Sequence, residues 1–168
     1  LPEGSLQLIC GSARGILDSV TSEDVVTFTG SADTGIQLKS HSKIIKESVP
    51  FNMEADSLNC TVLGEDAVPG TSDFDIFIKE VIKEITVKAG QKCTAIRRII
   101  VPEKLIDDVK NALHNKLSKT IIGNPTNESV RMGSLAGIDQ KIEVYNKVKL
   151  LKNSQEIIFG SLEEFDVV

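Results

Sequence analysis

An α/β fold is what this sequence predicts, and three observations predict it. Short β-branched or apolar runs recur at residues 25–29, 49–53, 59–63 and 96–101, each of strand length. Between 74 and 85 the apolar residues fall instead at helical spacing. Strand, turn and helix signals then alternate along the chain, the pattern of crossover connections within a sheet.

The elements follow in order. Leu6–Cys10 is a short apolar run closed by Gly11-Ser12 and predicts a strand entering a turn. VVTFT, Val25–Thr29, predicts a second strand, which meets Gly30-Ser31. Thr34–Lys46, with Ile36, Ile44 and Ile45 among polar residues, predicts a helix. Val49–Met53 and Asn59–Leu63 are further strands. GEDAVPGTSD at 64–73 is a turn-rich connector whose Ser72 or Asp73 can cap the next helix, because a short oxygen-bearing side chain accepts from its free N–H groups. Phe74, Phe77, Ile78, Val81, Ile82 and Ile85 form one apolar stripe on that helix, the clearest element of the chain. Gly90 is placed to end it, since glycine accepts the left-handed conformation beyond a helix end. Ile96–Val101 predicts a strand closed by Pro102, which opens a second amphipathic helix carrying Leu105, Ile106, Val109, Leu113 and Leu117 on one face. Gly123-Asn124-Pro125 is a turn, Ile138–Leu151 a last helix and Ile157–Phe159 a short strand.

Composition narrows the function classes. With 168 residues, 40% hydrophobic and 26% charged, the chain is an ordinary globular protein able to bury a sizeable core. A net charge of −5 gives no support to a nucleic-acid or anionic-membrane partner. Lys88, Lys92, Arg97 and Arg98 make only a local basic cluster. Cys10, Cys60 and Cys93 include no CxxC pair, which argues against a disulfide framework or a structural zinc site and fits a reducing compartment. No metal site is predicted. His41 and His114 read as surface or packing residues. No apolar run approaches the ~20 residues of a membrane span, and the first residues lack a signal peptide's basic start and apolar core. Without an initiator Met, and ending at EEFDVV, the chain reads as the central piece of a longer product.

Three stretches carry chemistry. In FTGSADTG, Phe28–Gly35, a strand runs into Gly-Ser and then a helix, whose N-terminal N–H groups attract phosphate while glycine permits close approach. The spacing is Gly30-x4-Gly35 rather than GxGxxG, so a plain strand-to-helix turn stands beside a cofactor site. In FNMEADSLN, Glu54 lies at a strand end, where open α/β sheets place ligands and catalytic groups; a solvated charge is the other reading. In AGQKCTAIRR, Cys93 is a nucleophile, a metal ligand or a small core residue. Cationic neighbours favour thiolate, while the carbonyls of a preceding helix oppose it. Cys10 and Cys60 read as packing residues.

The ordered set FTGSADTG, NMEADS and AGQKCTAIRR resembles the aldehyde dehydrogenase superfamily, whose signatures are FTGS-x3-G, a strand-end Glu and GQ-x-C-x-A. The resemblance continues through IIGNPTNESVRMGSLAGIDQ, 121–140, and covers essentially the whole chain. Where the family at large follows its Glu with Leu-Gly-Gly-Lys, this chain has Ala55-Asp56-Ser57-Leu58-Asn59. EADSLN with AGQKCTAIRRIIVP is similar to the branch of bacterial phenylacetate degradation. There a C-terminal hydratase domain opens an oxepin-CoA ring and the dehydrogenase half oxidises the resulting semialdehyde.

The resemblance implies an aldehyde dehydrogenase-like fold. Residues 1–55 would be the last part of a Rossmann-like cofactor domain and 56–168 the first part of an α/β catalytic domain. It implies Cys93 as nucleophile and Glu54 as the general base that hydrolyses the thioester. The Cys93 N–H would stabilise the oxyanion, and Gly30 and Ser31 would approach an NADP cofactor, with NAD the alternative. Gln91 and Lys92 would shape the loop. A CoA-linked aldehyde, a homo-oligomeric full-length protein and a bacterial cytoplasmic location are implied in the same way. The family's oxyanion Asn and adenosine-ribose residues fall upstream of Leu1, and the nicotinamide-ribose Glu falls downstream of Val168. EIIFGS, Glu156–Ser161, has Ser161 where that Glu motif has Pro, and is not assigned. A CoA-acylating dehydrogenase and a non-catalytic nucleotide-binding or interaction module are the rival readings.

Overall fold

A computed structural model describes residues 1–11 and 15–168. The chain divides into two compact units, Leu1–Asp56 and Ser57–Val168.

In the first unit, β1 (Val26–Gly30) runs parallel to β2 (Phe51–Ala55), with Phe28 opposite Met53, Thr29 opposite Glu54 and Gly30 opposite Ala55. Parallel neighbours need a crossover, and two short helices supply it: α1 (Ala32–Lys39) and α2 (Ser42–Lys46). The single helix predicted over 34–46 is therefore two. His41 breaks it with an extended backbone, and its ring Nδ1 accepts from the Lys43 N–H at 3.3 Å, which caps α2. An accepting Nδ1 puts the ring proton on Nε2, which faces Asp18 Oδ1 at 3.4 Å. Ile44 and Val49 are buried in this unit.

Leu6–Cys10 is not a strand: it is irregular and exposed, with Leu8 88% exposed. A strand persists only where its N–H and C=O groups find a partner strand, and among the described residues this run has none. Ser12, predicted to close the run, lies outside the described residues.

In the second unit, β3 (Asn59–Val62) runs parallel to β4 (Ile96–Ile100), with a register irregularity between Asn59 and Cys60. α3 (Ser72–Thr86) is capped one residue earlier than predicted: Thr71, not Ser72 or Asp73, is the N-cap, and its Oγ accepts from Phe74 N–H at 3.3 Å. Asp73 and Asp75 then sit in the first turn, where the helix dipole favours negative charge. The predicted stripe is the core: Phe74, Phe77, Ile78 and Val81 are buried with Leu63, Leu105, Val109 and Leu113, and Ile82 and Ile85 pack at the margin. On the outward face Lys83 donates to Glu80 at 2.9 Å, a contact that holds the Glu80 carboxyl below its ordinary range and the Lys83 ammonium above its own.

Pro102 leads into a 3₁₀ turn, Glu103–Leu105, and then α4 (Ile106–Leu117). That turn rotates Ile106 off the buried face, leaving it 37% exposed, while Leu105, Val109 and Leu113 stay inside. α5 (Ile138–Lys152) buries no residue. Ile157–Phe159, predicted as a strand, is irregular because no strand pairs with it among the described residues; the Phe159 ring meets the His114 ring edge-on at 5.3 Å.

Candidate functional site

Gly30 ends β1 and Ser31 caps α1. The Ser31 hydroxyl accepts from the Thr34 N–H at 3.2 Å and lies 2.8 Å from the Thr34 hydroxyl. Glycine at 30 has a packing reason as well: a Cβ there would stand 2.5 Å from the Phe28 ring. Gly35 is under the same constraint, since its Cβ would collide with the Met53 side chain of β2. The helix N-terminus is less free than strand-turn-helix logic predicts. Asp56, with a left-handed backbone (φ 51°), places Oδ2 3.3 Å from the Ala32 N–H and donates its own N–H to the Gly30 carbonyl at 3.2 Å. A carboxylate of this chain thus already answers one donor of α1.

Glu54 lies one residue from the carboxyl end of β2, opposite Thr29 and exposed. The parallel pairing brings it to the same sheet edge as Gly30, which pairs with Ala55. An exposed carboxylate at such an edge has the access a general base requires.

Cys93 belongs to the second unit and is exposed, so in this structure it is not a core residue. Cys10 and Cys60 are exposed too, which corrects the packing roles predicted for them. Cys60 occupies β3 opposite Arg98 on a position that turns outward, and Cys10 falls in the irregular N-terminal run. Among the described residues no group of three or more His, Cys, Asp or Glu could hold a metal.

The Cys93 loop begins where α3 stops at Thr86. Lys88, Ala89 and Gly90 follow in consecutive left-handed conformations (φ 54°, 51° and 70°). Gly90 therefore does its predicted work inside a turn, after the helix proper has ended. Gln91 ties two loops together: Nε2 donates to the Lys88 carbonyl at 3.0 Å and Oε1 accepts from the Ala136 N–H at 2.9 Å. Lys92 Nζ meets Glu84 Oε1 at 2.8 Å, with both side chains mostly buried (18% and 16% exposed). Arg97 donates to the Gly90 carbonyl and Arg98 to the Leu58 carbonyl, each at 2.8 Å. Three of the four cations counted around Cys93 in sequence, Lys92, Arg97 and Arg98, are thus committed to Glu84 and to holding backbone.

Sequence reasoning missed Asp56, Ser57 and Asn59. Ser57 Oγ and Asn59 Nδ2 both donate to the Cys93 carbonyl at 2.6 Å, and Asn59 also reaches the Ala95 carbonyl at 3.2 Å. The only signal available was negative and covered two of the three: Asp56 and Ser57 stand where Leu-Gly-Gly-Lys has its glycines, and a polar residue replacing glycine in a tight segment invites a search for its hydrogen-bond partner.

Residues 1–166 match the model of the aldehyde dehydrogenase family. Over all 168 residues the chain is 44% identical to 3,4-dehydroadipyl-CoA semialdehyde dehydrogenase of Aromatoleum evansii, covering 33% of that protein. It is 24% identical to a lactaldehyde dehydrogenase of Methanococcus maripaludis over 95% of the chain and 33% of the relative. The chain spans about a third of the length of the curated relatives it matches. Among solved structures, succinic semialdehyde dehydrogenase from Streptococcus pyogenes, in complex with NADP+, aligns with a TM-score of 0.74 at 25% identity, over 84% of this chain and 30% of that one. Betaine aldehyde dehydrogenase from Staphylococcus aureus, in complex with NAD+, aligns at 0.70 and 23% identity over 77% and 24%.

Proposed function

Because the chain belongs to the aldehyde dehydrogenase family, we propose that it is the central part of a nicotinamide-dependent dehydrogenase that oxidises an aldehyde to a carboxylate through a Cys93 thioester. Its substrate class is a CoA-linked semialdehyde, as in aerobic phenylacetate degradation. The exposed thiol of Cys93, on a loop tethered at Gln91, Lys92 and the Cys93 carbonyl, carries this reading. The 44% identity to a protein named for a CoA-linked semialdehyde supports the substrate class.

At the β1–α1 turn a phosphate-bearing nicotinamide cofactor would compete with Asp56, whose Oδ2 accepts from the Ala32 N–H. Gly30 ends a parallel strand, Ser31 caps the helix that follows, and helix N-termini at such sheet edges attract phosphate. Gly30 and Ser31 would hold that cofactor, NADP or NAD, and when bound it supplies the hydride acceptor. Cys93 thiolate attacks the aldehyde carbon, and its own backbone N–H stabilises the oxyanion that forms. After oxidation to the thioester, Glu54 takes a proton from the water that releases the acid. Glu54 favours water over CoA as acyl acceptor, because transfer to CoA does not require that base. Residues 1–55 belong to the cofactor domain and 56–168 to the catalytic domain in this reading. The full-length protein is a homo-oligomer of the bacterial cytoplasm. Among the described residues no helix is long and apolar enough to cross a membrane.

The test is to follow nicotinamide reduction by the full-length protein with a CoA-linked semialdehyde, with each cofactor, with and without free CoA. Wild type is expected to reduce cofactor without free CoA, and Cys93→Ala to lose oxidation while still folding and binding cofactor. A strict requirement for free CoA would indicate the acylating reaction. No reduction with any aldehyde would indicate a binding module, and wild-type oxidation by Cys93→Ala would remove the nucleophile.

A further inference from the structure

We infer that Ser57 and Asn59 are positioning residues for the Cys93 thiol, acting through the carbonyl of Cys93 itself. The inference rests on the nucleophile reading of Cys93. A carbonyl oxygen offers two lone pairs, and two side-chain donors at 2.6 Å answer both. Holding that oxygen fixes the rotation between the Cys93 Cα and its carbonyl carbon. The thiol hangs from the same Cα, so the direction of its Cα–Cβ bond is fixed with it. On the N-terminal side Lys92 is anchored to Glu84 at 2.8 Å, and Gln91 to the backbone of Lys88 and Ala136. The nucleophile loop is thereby held on both flanks of an exposed side chain.

The clamp is itself anchored. Asn59 opens β3 opposite Ile96, and its amide also donates to the Ala95 carbonyl. Arg98 of β4 holds the Leu58 carbonyl between the two donors. Ser57 is exposed and Asn59 only half-buried, and neither belongs to the apolar core. Their contacts therefore bear on where the loop points more than on whether the core forms. Counted from Glu54, the second glycine of the family's Leu-Gly-Gly-Lys falls at Ser57 and would offer no side-chain donor, while Asn59 follows the motif.

The experiment uses the full-length enzyme with Ser57→Ala, Asn59→Ala and the double variant that combines them, the near-isosteric Asn59→Asp, and Ser57→Thr, which keeps the hydroxyl. Three quantities are read: kcat, KM for aldehyde, and the rate of iodoacetamide alkylation at the Cys93 peptide across pH, followed by mass spectrometry without substrate or cofactor. The double variant is expected to lose about 10- to 100-fold in kcat with KM within about twofold, since misplacement of a reacting group costs factors of that size. Its alkylation profile is expected to change. Asn59→Asp, which points an acceptor at a carbonyl, should lose at least as much as Asn59→Ala, and Ser57→Thr should stay near wild type. Wild-type kcat and alkylation in the double variant would overturn the inference. So would equal losses in Ser57→Thr and Ser57→Ala with an unchanged alkylation profile. Should Asn59→Asp fail to fold by circular dichroism, the single alanine variants decide on the same criteria. Failure of the parent reading is seen separately: Cys93→Ala would retain oxidation whatever the clamp variants do.

Discussion

Glu54 shows how much one side chain's role depends on access. Its neighbours in sequence leave it either a solvated charge or a base, and the structure places it exposed, opposite Thr29 and at the sheet edge that ends in Gly30. If it serves as the base, Glu54→Gln keeps the shape and removes the proton acceptor. Deacylation should then slow by about 10²–10⁴-fold, and thioester should accumulate on Cys93. Intact-mass spectrometry after one turnover reads this as added acyl mass; an unchanged steady-state rate with no trapped acyl group would leave Glu54 a surface carboxylate. Asp56 is the contrasting residue. Its left-handed backbone and its contact with the Ala32 N–H give it a structural job that its charge alone does not reveal.

Among the elements, α3 has the most legible physics. Its stripe faces Leu63, Leu105, Val109 and Leu113, so the same apolar chemistry has opposite consequences two residues apart. Ile78 is 2% exposed and Ile76 is 57% exposed. Urea unfolding should show Ile78→Ala losing about 2–5 kcal/mol, through lost burial and the cavity left behind. Ile76→Ala should stay within about 0.5 kcal/mol. Equal losses at the two sites would mean that this face assignment is wrong. The cap at Thr71 was one residue out of reach in sequence, because Thr71, Ser72 and Asp73 all carry a competent oxygen. Only the backbone geometry selects the one in the β region just before the helix.

For the whole molecule, the decisive quantity is unsatisfied surface. Among the described residues each unit carries a parallel sheet of only two strands. Parallel sheets are ordinarily larger and covered on both faces, and two strands alone are marginal. Leu6, Leu8, Ile142, Leu150 and Leu151 are more than half exposed. The 168-residue chain expressed alone should therefore self-associate in sedimentation velocity and should not reduce nicotinamide with aldehyde. A monomeric, cooperatively melting chain that did so would refute the prediction. Its relatives' threefold greater length supplies the further reason to expect no turnover.

By itself the sequence determined the alternation of elements, the α3 core stripe and the three ordered motifs, because each is written in residues close together in the chain. Spacing at three and four residues is local, and so is a strand-glycine-helix turn. What only the tertiary structure decided are matters of pairing across distance. His41 splits one predicted helix into two by capping the second and facing Asp18. Leu6–Cys10 and Ile157–Phe159 have strand-like composition, yet neither finds a partner strand among the described residues. Ser57 and Asn59 reach a carbonyl 36 and 34 residues away, a contact that no local pattern encodes. A strand exists only with its neighbour, and a hydrogen bond only with its acceptor; the fold, not the local sequence, brings them within reach.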